Sequence, residues 1–542
     1  MLPLDTATPG GRAEEPVLLV IVGALGDLAW RKFIHDARQV AKEAGKLNDG
    51  SDRVEIRLVD QAWTSPKWQQ AGGGLEQELR YRIARRLIER CAEGIKEWEI
   101  VPDEDKDGKL TNRPRVLRND LSHEPLPWDV STFYGEWIDT QTSPQARASG
   151  CSIPVLDEME SDLDEKIAWF IPRYGSDRSS KDRWLSEAKR QERKVAVFVA
   201  TPPQAYPDVL REWAIRADRI VLEKPAVGID AGTLQYKGTA ALKAAVAKVQ
   251  GQLITNDHYN AKLVTRAMDR IRDYHLFDHL LTPDRIARIV VELIELAPLP
   301  LGRCNFYNGA GGAFGDMVPH LLQAVRALLG KQRLGDLEIE FGGPEDFCWA
   351  RYDGSSSAAT FQRPTSRPHS YEPHYYQGLH GETETYVAFK GHVQTGGRLI
   401  DLWCRTGKGL QPRKSIRVDC IYDAVSKKEV SLIFDFDKST FSLRDDPGHF
   451  VFESGKLRVA EESRAGVPAA SEYRGIFESI VHTPWNQPLD ERYFPNVDDA
   501  MALADKVIRT LERARQNRAV RSYDVGAFTA ALPWRDTEAR WS

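Results

Sequence analysis

Between residues 17 and 60 the chain reads as strand, glycine turn, helix and strand, and that order constrains the fold more than any other feature. Val17–Val22 is short, apolar throughout and closed by Gly23, the pattern of a strand buried on both faces. A helical pattern follows from Asp27 to about Ala44. Val54–Val59 then alternates apolar with charged residues and ends at Asp60. Apolar strands alternating with helices open a doubly wound, mainly parallel sheet.

The chain has 542 residues, too many for one ordinary core, so two or three domains are expected. Its 74 basic and 79 acidic residues leave a formal charge of -5, without the basic excess that nucleic acid usually requires. The apolar run Val17–Leu25 is far short of a bilayer span and follows Glu14 and Glu15, not a positive segment. Nucleic acid and membrane are therefore not expected partners. Six scattered cysteines contain no CxxC pair, so reduced thiols in a cytoplasm are expected, with neither a zinc ribbon nor a disulfide framework.

A second strand–helix–strand unit returns the chain to the same sheet. Lys194–Ala200 reads as a strand ending in Thr201-Pro202-Pro203, a helix covers about 205–217, and Arg219–Leu222 runs into Glu223-Lys224-Pro225. The first domain is expected to span 1–225, with an elaboration at about 100–190 where no regular period survives. Beyond it come an Ala-rich helix at 231–250, an alternating strand at Ile286–Leu296 and a helix from about Gly315. Strongly alternating segments at 386–393, 398–403 and 429–436 follow, with a late helix at Val497–Gln516. The expected fold is thus α/β: an N-terminal Rossmann-type doubly wound domain, then a β+α domain over 226–542 with a mainly antiparallel sheet.

Polar residues gather where the buried strands end. Gly23-Ala24-Leu25-Gly26-Asp27-Leu28-Ala29 follows the first strand, where small residues let backbone approach a pyrophosphate at a helix N-terminus. The same GxxGxxA pattern also serves a tight strand-to-helix corner. Asp60, at the tip of the second strand, suits the ribose hydroxyls of NAD and repels the 2′-phosphate of NADP; an exposed loop aspartate is the plainer reading. Lys224 stands at the carboxyl end of a parallel strand, where open sheets bind ligands. Asp316 and His320 are four residues apart, on one helical face if the helix extends that far; Pro319 places its start near Met317. Taken singly, His320 also reads as a core histidine.

Five blocks together resemble the glucose-6-phosphate dehydrogenase family. GALGDLAWRK is similar to its GASGDLAxRK fingerprint, RIVLEKPAVG to RIxxEKPFG, and NDHYNAK to RIDHYLGK. GDMVPHLLQ is similar to RDxxQNHLLQ and TGKGLQPRKSIRV to GKxLxxRxxEI, all in the family's order. The resemblance implies hydride transfer from C1 of glucose 6-phosphate, or a close analogue, to a nicotinamide. It implies that His320 takes the C1 hydroxyl proton, that Asp257 orients and stabilises that histidine, and that Lys224 lies between sugar and nicotinamide. His258, Tyr259, Lys262, Lys408 and Arg413 would hold the phosphate, and Glu295 and Asp316 the sugar hydroxyls. Gly23, Leu25, Gly26, Asp27, Leu28, Asp60, Thr201, Pro202 and Lys224 would contact the cofactor; Asp60 favours NAD over NADP, although many members of the resembled family take NADP. A homodimer or homotetramer, and no metal, complete the expectation.

Two departures keep alternatives open. Leu25 replaces the family's serine, and Asp316 precedes His320 by four residues where the family pattern has five. The shorter GGxxxDxxxH spacing resembles the wider family containing glucose–fructose oxidoreductase and inositol dehydrogenase, whose members oxidise various sugar carbons. Oxidation of another carbon, or binding of a sugar phosphate without catalysis, are the competing readings.

Overall fold

The computed structural model describes residues 15–24, 33–60, 167–230, 239–257, 281–295, 312–331, 333–343, 346–350, 385–408, 413–423, 428–436 and 472–516. It adds strands at 98–104, 110–118, 125–129, 235–236, 440–445, 450–453 and 520–522, and the single positions 29, 308, 309 and 383. Strand β1 (Val17–Val22) is buried at every position, as its unbroken apolar run requires. Helix α1 (Ile34–Ala44) leads to β2 (Val54–Val59). The apolar spacing from Leu75 to Trp98 predicts an amphipathic helix, and residues 75–97 of it lie outside the described residues.

The 100–190 stretch holds more order than its sequence shows. β3 (Trp98–Glu104), β4 (Leu110–Arg118) and β5 (Pro125–Asp129) form a three-stranded antiparallel sheet. Helix α2 (Arg178–Arg190) starts where Asp177 accepts a hydrogen bond from the Ser180 amide at 2.8 Å, an N-cap inside a run that reads as loop.

Then come β6 (Lys194–Val199), α3 (Tyr206–Trp213), β7 (Arg219–Glu223), the two-residue strands β8 (Ile229–Asp230) and β9 (Gln235–Tyr236), α4 (Thr239–Val246) and β10 (Gln252–Asn256). Five strands form one all-parallel sheet in the order β10-β7-β6-β1-β2. This sheet continues past residue 225 to take in β10. From β1 the chain passes to β2 on one side and later to β6 on the other, so the order reverses at β1.

Alternate residues of β1 feed different cores, which is why the strand is apolar throughout. Val17, Leu19 and Ile21 join α1, while Leu18, Val20 and Val22 join Trp184 of α2, Leu210 and Trp213 of α3 and Leu242 of α4. The α1 side is completed from the far end of the chain by α6 (Glu472–His482), with Tyr473 on Phe33 and Phe477 on Phe198. Arg219, 1% exposed, fastens the loop after α6 to the amino end of β7. Its guanidinium donates to the carbonyls of Ile480, Thr483, Pro484 and Gln487 at 2.8–3.0 Å and stacks on Trp485. A cavity of about 550 Å³ beside this loop, lined by Lys194, Asp218, Gln250 and Trp485 among others, lies at the strands' amino ends.

The second sheet has ten strands: β11 (Ile286–Glu295), β12 (Glu338–Phe341), β13 (Phe347–Ala350), β14 (Tyr386–Thr395), β15 (Arg398–Lys408), β16 (Arg413–Asp423), β17 (Lys428–Asp435), β18 (Thr440–Asp445), β19 (Phe450–Glu453) and, last in the chain, β20 (Val520–Ser522). All pairs are antiparallel except β11 with β15 and β13 with β20. One face is covered by α5 (Gly312–Leu328), joined by Val507 and Leu511 of α7 (Val497–Gln516). The sequence places the start of α5 near Met317; it starts at Gly312, with Pro319 inside it. Proline forfeits one helical hydrogen bond there, and the burial of Phe314, Met317, Val318, Leu321 and Leu322 offsets that cost. Doubly wound first sheet and mainly antiparallel second sheet are the expected fold class. Among the described residues no helix is long and apolar enough to cross a membrane.

Candidate active site

Every described candidate of the first domain lies at a carboxyl end of its parallel sheet. Gly23 follows β1, Asp60 follows β2, Thr201 and Pro202 come just after β6, Lys224 follows β7 and Asp257 follows β10. Helix α5 of the second domain supplies Asp316 and His320.

The glycine turn is tied on both sides. Gly23 and Ala24 donate their amides to the Val59 carbonyl at 2.8 and 3.1 Å, and the Ala200 amide donates to the Val22 carbonyl at 2.8 Å. Gly23 has φ +87°, and a Cβ there would stand 2.8 Å from the Ala200 carbonyl carbon and oxygen. The position therefore takes glycine for both conformation and space. Beside it the Thr201 hydroxyl is buried and has no hydrogen-bond partner among the described residues. A bare backbone turn and an unmet hydroxyl at the reversal point of an open sheet are the features a dinucleotide pyrophosphate uses. The residues present fit such a group. Leu25, Gly26, Asp27 and Leu28 lie outside the described residues.

Two ion pairs meet near the tips of β7 and β10. His320 Nδ1 lies 2.5 Å from Asp257 Oδ1, with both side chains at most 5% exposed. An Nδ1–H held on a carboxylate fixes the tautomer and makes Nε2 the basic nitrogen. Lys224 Nζ pairs with the Asp316 carboxylate and donates to the Asp316 backbone carbonyl at 3.2 Å. Because Asp316 and His320 share one turn of α5, that turn receives both the lysine of β7 and the carboxylate of β10. Sequence spacing put Asp316 and His320 on one face, and the family resemblance set Asp257 beside His320; the pairing of Lys224 with Asp316 is visible only in three dimensions.

The sequence reading missed Glu223 and Asn256. Glu223 is buried and accepts from Asn256 Nδ2 at 2.5 Å and from the Lys224 amide at 3.2 Å. Burial pushes this carboxyl up to about 7, against the downward pull of the Asn256 hydrogen bond and the Lys224 charge; Asp257 adds to the rise. The available signal is an acidic residue closing a wholly apolar strand. Such a residue must find a partner inside the protein.

The remaining candidates divide into two groups. Glu295 and Lys408 are register partners, and Arg413 pairs with the adjacent Ile294, so three backbone positions share one end of the second sheet. His258, Tyr259 and Lys262 lie outside the described residues.

The parallel sheet thus carries the described candidates of the first domain at its carboxyl ends, and helix α5 of the second domain brings Asp316 and His320 to them. No family model and no curated protein matches this chain in sequence. Solved structures do. That of glucose-6-phosphate dehydrogenase in complex with glucose 6-phosphate is similar over 93% of this chain and 92% of that one, with a TM-score of 0.55 and 14% identity. Glucose-6-phosphate 1-dehydrogenase from Mycobacterium avium is similar over 96% and 97%, with a TM-score of 0.56 and 16% identity. The chain shares the fold of these glucose-6-phosphate dehydrogenase structures.

Proposed function

We propose that this chain is a sugar-phosphate dehydrogenase that oxidises C1 of glucose 6-phosphate, or a close analogue, to the lactone, with NAD favoured over NADP. The buried Asp257–His320 pair carries the reading: a carboxylate on Nδ1 of a histidine, at the carboxyl ends of a parallel sheet, is the arrangement a hydroxyl-deprotonating base needs. The C1 hydroxyl gives its proton to His320 Nε2, the C1–O bond becomes a carbonyl, and Asp257 stabilises the imidazolium. A bound nicotinamide supplies the acceptor for the hydride that leaves C1. Gly23 and Thr201 would receive its pyrophosphate, and Asp60 its adenosine ribose. Lys224, paired with Asp316, brings a positive charge toward the oxygen losing its proton. His258, Tyr259, Lys262, Lys408 and Arg413 are assigned to the phosphate, Glu295 to the sugar hydroxyls. Phosphate binding away from C1 orients the reacting carbon. A homodimer or homotetramer in a cytoplasm remains part of the proposal.

One observation favours a second reading. Asp316 stands one turn before His320 and holds Lys224, a lysine–carboxylate–histidine group that would serve equally at another carbon of a phosphorylated sugar. The deciding experiment mixes the protein with glucose 6-phosphate and each cofactor, follows absorbance of the reduced nicotinamide and identifies the product by NMR. A lactone supports the first reading, a keto sugar the second, and binding without turnover a non-catalytic relative. His320→Asn should lower kcat by about 10²–10⁴-fold while sugar-phosphate affinity stays within a few fold. Turnover near the wild-type rate would remove His320 from the role of base.

A further inference from the structure

Glu223 ends β7 with a buried carboxyl group that the proposed chemistry does not use. Glu223 and Asn256 are register partners at the tips of neighbouring parallel strands, and the amide of Asn256 bridges to the Glu223 carboxylate. The residue after each belongs to one of the two ion pairs: Lys224 to Asp316, and Asp257 to His320. One carboxyl group thus joins both halves of the site from beneath. The groups around it are Lys224 on its own segment, Asp257 at the end of β10, and Tyr206 of α3, whose hydroxyl donates to the Glu223 backbone carbonyl. Asp316 and His320 of α5 stand behind Lys224 and Asp257.

We propose that Glu223 is a positioning residue: its bridge to Asn256 fixes Lys224 and Asp257 relative to one another, and its negative charge strengthens His320 as a base. The consequence for turnover rests on the dehydrogenase reading; the electrostatic coupling does not. Glu223 and Asp257 repel, and that coupling is reciprocal. A second negative charge near Asp257 favours the imidazolium over the neutral ring, so proton transfer to Nε2 becomes easier. With Glu223 protonated, His320 is the weaker base. The titration of Glu223, near neutral by burial, then enters the pH dependence of the reaction.

Two variants separate charge from bridge. Glu223→Gln keeps an oxygen for Asn256 Nδ2 and removes the charge; Glu223→Asp keeps the charge and withdraws it from Asn256 by one methylene. The His320 imidazole is titrated by NMR in the intact, substrate-free protein, its signal assigned by its loss in His320→Asn. In Glu223→Gln the His320 titration should move about one pH unit lower, whereas Glu223→Asp should leave it near the wild-type position. In turnover, Glu223→Gln should lower kcat several-fold with KM within twofold and shift the acid limb of kcat/KM to lower pH. Glu223→Asp should lower kcat with the limb unmoved. An unchanged His320 titration in Glu223→Gln would overturn the proposal. Should that variant fail to fold, Glu223→Met, uncharged and of similar size, takes its place, and the same downward shift of the His320 titration is required of it. A wild-type protein without turnover on any sugar phosphate would instead sink the dehydrogenase reading, and the NMR titration would still decide the coupling.

Discussion

Gly23→Ala tests whether the first turn is built for close approach of backbone and cofactor. The substitution adds one methyl group, yet two separate costs follow from where it goes. At φ +87° an alanine pays the left-handed penalty, about 1–2 kcal/mol. Its Cβ would also stand 2.8 Å from the Ala200 carbonyl group and 2.9 Å from the Thr201 amide nitrogen, all backbone atoms that no side-chain rotation can clear. Pushing β1 and β6 apart to make room is overpacking, worth about 1–3 kcal/mol. Together these are about 2–5 kcal/mol, a large share of the roughly 5–15 kcal/mol of a typical domain. Gly50→Ala is the control: φ is +84° and nothing lies within 4 Å of its added carbon, so no overpacking cost applies. Denaturant unfolding measures both variants, and the fluorescence of the 14 tryptophans follows cofactor titration. Gly23→Ala should be destabilised beyond Gly50→Ala by the overpacking cost and should bind nicotinamide dinucleotide at least about tenfold more weakly. Equal destabilisation of the two, with cofactor affinity unchanged, would refute the argument that this turn needs space.

Continuous apolar runs made the first sheet legible before any coordinates. Val17–Val22 was bounded to the residue because a strand buried on both faces leaves no polar position to blur its ends, and Val54–Val59 because its alternation with Glu55 and Arg57 marks a half-buried strand. Val497–Gln516 was equally plain, its apolar positions recurring at helical spacing over twenty residues. The strands of 98–129 were not, since Leu110–Arg118 reads LTNRPRVLR, without an alternation to mark its faces. Proline rules misplaced the start of α5, where burial overrode local propensity. Long-range partners were the other loss. Nothing local to residues 472–482 says that this helix completes the core of the first domain. Of the site, the lysine, aspartate and histidine were named individually from their motifs. The Asp257–His320 pairing, across 63 residues, was an expectation of the family resemblance, whereas the Lys224–Asp316 pairing, across 92, was invisible in the sequence. Glu223 and Asn256 were overlooked because each merely flanks a recognisable motif, and only strand register makes them neighbours.

Two further outcomes follow. Glu223 has an ordinary carboxyl value of 4.5 and is raised to about 7 in the folded protein, so the folded state binds the extra proton between those values. Its contribution is therefore fully present at low pH and lost as pH rises through about 7, costing about 3 kcal/mol above that window. Glu223→Gln should gain stability relative to wild type between pH 4.5 and 7, by unfolding at a series of pH values; parallel curves would show that the carboxyl is not titrating there. The last outcome is cofactor choice. Val59 pairs with Val22 and accepts the Gly23 and Ala24 amides, which sets Asp60 directly beside the turn. The nearest basic side chain on that strand is already engaged: Arg57 pairs with Glu55, donates to the Pro172 carbonyl at 3.4 Å and stacks over Trp184. A 2′-phosphate would meet a carboxylate there, with that arginine held by other partners, whereas ribose hydroxyls would find an acceptor. The ratio of kcat/KM for NAD over NADP should exceed one, and Asp60→Ala should reduce it by about tenfold, close to the ~1.4 kcal/mol of one such contact. A preference for NADP in the wild type, or an unaltered ratio in Asp60→Ala, would place the ribose elsewhere.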